Sequence, residues 1–101
     1  MTAPAQLTSC AALLLVKDVV AAAAFYEAKL GFSILFFNGE PPEFCMVKRD
    51  ACALMLAQAN DPADVVPHWT VRDKTCNVYF WVDDADTLHR EFVERGARID
   101  Y

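Results

Sequence analysis

The side chains best suited to bind a transition metal, attack a substrate or move a proton near neutral pH are few: His68, His89, Cys10, Cys45, Cys52 and Cys76. Zinc and thiol-redox sites show short spacings such as Cys-x-x-Cys, and no two of these cysteines are spaced that way. All four fall in apolar or strand-like surroundings, which predicts reduced thiols packed as small apolar groups. His68 lies in a loop-like stretch and His89 in a helical one, too far apart to be a spaced ligand pair, so solvated or capping roles are expected. No cysteine has a base at motif spacing, and no Ser-His-Asp arrangement can be argued. A different chemistry is written in Asn77-Val78-Tyr79-Phe80-Trp81-Val82. Strand alternation puts an amide and two rings (Asn77, Tyr79, Trp81) on one side and Val78, Phe80 and Val82 on the other. Such a surface would suit stacking on a ligand and hydrogen-bonding it, or equally filling a cleft or a subunit contact.

The elements that must position these residues recur twice. Leu13 to Ile34 reads as an apolar strand, Asp18, a helix and Gly31; Tyr79 to Ile99 repeats the order with Asp84 and Gly96. With Val16 set over Val82 and Asp18 over Asp84, Tyr26 falls over Phe92, and one deletion brings Gly31 over Gly96 and Ile34 over Ile99. Asp18 and Asp84 are expected N-caps, because a carboxylate just after a strand can accept the orphan N–H groups of a helix's first turn. Gly31 and Gly96 are expected stops, since glycine adopts the left-handed conformation that ends a helix.

The chain of 101 residues is bounded to a single small domain. The first strand is expected over 9–16 and the first helix over 19–30, with only Tyr26, Glu27 and Lys29 polar, so that this helix must lie against a sheet. Further strands are predicted over 32–38, 43–48 and 51–58, with a bend at Asn38-Gly39 and a tight connection at Arg49-Asp50. Residues 59–76 read as a linker in which Trp69 is expected to pack on the module surface. A strand over 77–83, a helix over 85–95 and a strand starting at Ala97 follow. In that second helix Ala85, Leu88 and Phe92 should face the sheet, and Asp86, Arg90, Glu91 and Glu94 should be solvated. Residues 9–58 thus form a βαβββ module and 77–101 a partial second one. The net charge of −5 argues against nucleic acid, which needs clustered Lys and Arg. Lys17 and Asp18 interrupt the longest apolar tract, so no membrane span is expected, and the first eight residues lack the basic start of a signal peptide. A soluble cytoplasmic protein is the expectation.

Tandem βαβββ modules with Leu-Leu-Val-Lys-Asp leading to Phe-Tyr-Glu-Ala-Lys-Leu-Gly-Phe, and Val-Tyr-Phe-Trp-Val-Asp-Asp leading to Glu-Arg-Gly-Ala, resemble the vicinal oxygen chelate superfamily of glyoxalases, bleomycin resistance proteins and extradiol dioxygenases. The resemblance implies an α+β fold of paired modules whose sheets curl into a cleft. It also implies metal-ligand positions in the metalloenzymes of the family, which here correspond to Ala11, Met55 and Asn77, with a fourth on a strand beyond the sequence in hand. Ala cannot bind a metal, Met prefers soft ions and a lone amide is a poor ligand for Zn²⁺, Mn²⁺ or Fe²⁺, so no metal and no cofactor is expected. In that cleft Asn77, Tyr79 and Trp81 would face Ala11, Leu13 and Leu15 of the first strand and Ala53, Met55 and Ala57 of the fourth.

The reading that follows is a metal-free protein that sequesters a small hydrophobic or aromatic ligand, similar to the bleomycin resistance branch. Asn77, Tyr79, Trp81, Leu13 and Met55 are its candidate contacts, the acidic surface would favour a cationic compound, and a homodimer is expected. Two other readings are open: a metal-dependent lyase, isomerase or dioxygenase of the glyoxalase type, and a shortened member without activity whose sheet edge is completed by a partner chain, with strand exchange between identical chains as the cheapest route.

Overall fold

The computed structural model describes residues 3–99. Its first half is β1 (Ala11–Val16), α1 (Val19–Leu30), β2 (Ser33–Asn38), β3 (Phe44–Arg49) and β4 (Cys52–Gln58). These strands make one four-stranded sheet in the order β1-β4-β3-β2. β1 runs parallel to β4, while β3 is antiparallel to both β4 and β2. The architecture is α+β, and the expected βαβββ order of the first module is the one observed.

Helix α1 starts where it does because its first amides are all accounted for. The Asp18 carboxylate accepts from the N–H groups of Val20 and Ala21 at 3.0 and 3.1 Å, and the Gln58 side chain, at the end of β4, accepts from Val19 at 3.1 Å. The Asp18 carbonyl then takes the Ala22 N–H at 2.9 Å and opens the regular ladder. At the other end Gly31 sits at φ 73°, the left-handed conformation expected of a stop, and its N–H donates to the Tyr26 carbonyl.

Alternation along the strands divides the sheet into two faces. Leu54 and Leu56 of β4, and Cys45 and Val47 of β3, point toward α1 and are buried with Val19, Ala23 and Phe32. Ala12, Leu14, Val16 and Ile34 extend this layer. Burial pushes the Cys45 thiol above its ordinary pKa, because a thiolate would lack solvation there. Tyr26 stands edge-on to Phe32, with centroids 5.4 Å apart, and its hydroxyl pKa is also raised by burial. The thiols divide by place: Cys45 is buried and Cys52 half-buried, whereas Cys10 and Cys76 are exposed, contrary to the expectation that all four pack inside.

The second half departs further from expectation. A turn of 3-10 helix spans Pro62–Asp64, α2 spans His68–Val71 and α3 spans Ala85–Glu94. Residues 77–83 join no ladder, so the predicted strand is absent among the described residues. The physical reason is that a strand is defined by its neighbour's hydrogen bonds, and this segment has no neighbour to pair with. Residues 97–99 are likewise irregular, and the rest of the strand predicted from Ala97 lies outside the described residues. The punctuation of the repeat does form: the Asp84 carboxylate accepts from the Thr87 N–H at 3.1 Å, and Gly96 adopts φ 81° beyond α3. That hydrogen bond to the charged form holds the Asp84 carboxyl below its ordinary pKa. Trp69 does not pack down as expected; it is 65% exposed on α2, whose four residues offer little surface to cover an indole.

Candidate functional site

The face of the sheet turned away from α1 is apolar, and register lines up its residues in rows. Phe36, Met46, Met55 and Leu13 form one row from β2 to β1, and Asn38, Phe44, Ala57 and Leu15 form the next. A bulge between Ile34 and Phe36 shifts the phase of β2, which sets Phe36 opposite Met46 and 6.0 Å, centroid to centroid, from Phe44. Leu13, Leu15 and Phe36 are each about half exposed, at 54, 48 and 48%. Among the described residues no layer covers these large apolar side chains, which form an exposed apolar patch on the pleated surface. The two methionines at its centre are unbranched and polarizable, so this part of the face can adapt to what packs against it.

A third row, Ser33, Lys48, Ala53 and Ala11, borders these two. Lys48 is exposed, and among the described residues it takes part in no ion pair. Three small residues flank it. Ala11 and Met55, two of the positions at which the resemblance implied ligands in the metalloenzymes, lie on this open face; their side chains are a methyl group and a thioether. Among the described residues no group of three His, Cys, Asp or Glu side chains converges anywhere.

The five predicted contact residues fall into separate groups. Leu13 and Met55 are register partners at the middle of the open face. Tyr79 and Trp81 also lie together, edge to face at 5.0 Å, and are 69 and 86% exposed, while Val78 packs against the core and Phe80 lies 6.1 Å from Phe32. The alternation predicted for this segment is therefore present although the strand is not. Asn77 has structural work: its side-chain oxygen accepts from the His68 N–H at 3.1 Å, closing the start of α2 where Pro67 offers no cap, and His68 Nδ1 lies 3.0 Å from the Cys76 carbonyl. His68 thus serves as part of a loop clasp.

One cluster has no counterpart in the sequence reading. Arg49, at the end of β3, donates to both carboxylate oxygens of Glu91 at 2.6 and 2.8 Å and to the Leu30 carbonyl at 2.9 Å. Arg95 adds a bond to Glu91 at 3.2 Å. Glu91, expected to be solvated, is therefore the tie between α3 and the first module, and its hydrogen bond with Arg49 holds its carboxyl below the ordinary glutamate range. The same bond raises the Arg49 pKa. Beside this tie lies a cleft of about 420 Å³ between the β3–β4 turn and α3, lined by Phe32, Phe80, Trp81 and Phe92 among others.

The acidic residues of the chain lie outside the sheet. None of the four strands contains an Asp or Glu. No helix among the described residues is long and apolar enough to cross a membrane.

Two solved structures share the fold. One is a bleomycin-binding protein from bleomycin-producing Streptomyces verticillus, complexed with copper(II)-bleomycin: 24% identity, TM-score 0.69, covering 91% of this chain and 66% of that one. The other is a bleomycin resistance determinant encoded on transposon Tn5: 22% identity, TM-score 0.67, covering 93% of this chain and 69% of that one. The chain thus spans about two thirds of the length of each. No curated protein matches it. The family model for the Glyoxalase/Bleomycin resistance protein/Dioxygenase superfamily matches residues 6–101. A match over nearly the whole chain, which folds as a βαβββ sheet, establishes that the chain belongs to that superfamily.

Proposed function

We propose that the chain binds a small hydrophobic or aromatic compound on the open sheet face and sequesters it without chemical change, in the manner of the bleomycin resistance branch. The observation that carries this reading is the row Phe36, Met46, Met55 and Leu13, an apolar surface across all four strands with no titratable group in it. Apolar burial against such a surface contributes roughly 25 cal/mol per Å², which suits micromolar capture of a flat ligand. A homodimer would bring two open faces together, with the exposed Tyr79 and Trp81 of each chain available to the partner or the ligand.

Calorimetric titration with a panel of neutral and anionic aromatic compounds tests the reading, on a sample whose mass is known from light scattering. The expected outcome is saturable binding to a dimer, weakened about tenfold or more by Met55→Asp, with the ligand recovered chemically intact by mass spectrometry. Conversion of the ligand, or near-stoichiometric divalent metal retained after dialysis, would instead favour an enzyme of the glyoxalase type.

A further inference from the structure

Resting on that binding surface, we infer that its ligand is an amphiphilic monoanion, an aromatic or aliphatic acid whose acidic group is held by Lys48. The inference comes from where charge is placed. Of the side chains facing away from α1 in the four strands, Lys48 alone is charged; Arg49, the other charged strand residue, alternates to the opposite face and is engaged by Glu91 and the Leu30 carbonyl. The chain as a whole is acidic, with 14 Asp and Glu against 9 Lys and Arg. A single cation facing outward from a sheet that carries no acid is therefore a local reversal of sign.

Its surroundings fit an anion. Ser33 is the register partner of Lys48 on β2, so a hydroxyl able to donate stands beside the ammonium group. Ala53 and Ala11 continue the row and leave space above the sheet where larger side chains would stand. Two residues along β1, β3 and β4, and three along the bulged β2, the Phe36-Met46-Met55-Leu13 row begins, so an acid held at Lys48 would lay an apolar body across Met46 and Met55. A charge-assisted bond at one end and an apolar floor beyond it select an anionic amphiphile over a cation, which would meet Lys48 with like charge.

Two fluorescent probes that share one aromatic skeleton test this: anilinonaphthalene sulfonate, an anion, and phenylnaphthylamine, its neutral counterpart. The sulfonate is expected to bind the intact chain roughly tenfold more tightly, with an advantage that shrinks as salt is raised, because Lys48 is exposed. Lys48→Met should bring the sulfonate down to the affinity of the neutral probe and leave the neutral probe unchanged, and Lys48→Glu should weaken the sulfonate further. Lys17→Met, which removes a lysine outside the strands, should alter neither. Equal affinities for the two probes, or a sulfonate preference that survives Lys48→Met, would overturn the inference while the binding reading stands. Failure of both probes to bind would remove the binding reading and this inference with it.

Discussion

Leu56→Ala is expected to lower the free energy of unfolding by about 2–5 kcal/mol. Leu56 is fully buried on β4, the strand that pairs with both β1 and β3, and it points into the layer formed with Val19 and Ala23 of α1. The loss has two parts, the transfer energy of the deleted methyl groups and the cavity that remains. The cavity part should be near its maximum here, because a central strand held on both edges cannot move inward to close the gap. The fully enclosed core is also small: Val19, Ala23, Phe32, Cys45, Val47, Leu54 and Leu56. A domain of this size has a total stability of roughly 5–15 kcal/mol, so the substitution removes a large share of it. Urea unfolding followed by circular dichroism reads the change. Leu15→Ala, on the open face, is the comparison and should cost less than about 1 kcal/mol. Leu56→Val, expected to cost about 1 kcal/mol, keeps the measurement possible if the alanine variant does not fold. Equal losses for Leu56→Ala and Leu15→Ala would mean that the two faces of the sheet have been assigned the wrong way round.

Glu91→Gln is expected to loosen α3 from the first module while leaving the sheet intact. Arg49 would lose its charge-assisted pair of bonds and keep the Leu30 carbonyl, the Asp50 carboxylate and the Phe92 ring, and Arg95 would lose its partner on the same carboxylate and keep the Ala28 carbonyl. Trypsin should then cut at Arg90 and Arg95 faster than in the native chain, with little change in cleavage at Lys48. The effect should depend on pH with a defined sign. Because the folded-state pKa of Glu91 lies below its unfolded value, the stabilisation is present above the unfolded pKa of about 4.3 and is lost as pH falls through the folded value. The difference in thermal midpoint between the native chain and Glu91→Gln should therefore be seen at neutral pH and fade in acid. A difference that persists below pH ~3 would show that Glu91 acts through packing rather than charge.

The first module was legible because its signals are local. The Asp18 cap, the Gly31 stop and the apolar runs each depend on a few neighbouring residues, and β2, β3 and β4 begin one residue from where the pattern places them. Strand alternation also placed Leu13 and Met55 on one face. The residues that alternation did not reveal depend on partners distant in sequence. Nothing in Phe32-Ser33-Ile34-Leu35-Phe36 announces the bulge that turns Phe36 toward Met46, since a bulge is a property of two strands together. Arg49 and Glu91 are 42 positions apart, and each reads alone as an ordinary surface charge. The strand expected at 77–83 does not form for the converse reason: its alternation is real, as Val78 and Tyr79 show, but alternation describes which way side chains point and supplies no neighbour to bond.

The parallel pairing of β1 with β4 also governs the order in which the molecule can assemble. β2, β3 and β4 follow one another through connections of five residues (39–43) and two (50–51), whereas Ala11 finds its partner at Ala53, 42 positions later. The entropy cost of closing a loop grows with its length, by about 0.6 kcal/mol for each doubling, so the β2-β3-β4 meander is the inexpensive nucleus and β1 docks onto it late. Substitutions in the meander should then slow refolding, while Leu14→Ala in β1 should mainly speed unfolding; the opposite partition in stopped-flow kinetics would place β1 in the nucleus. The open face is correspondingly a late structure. Its Met46 and Phe36 are set early by the meander, but Leu13 and Leu15 arrive only with the last strand, so the proposed binding surface is complete only when folding is.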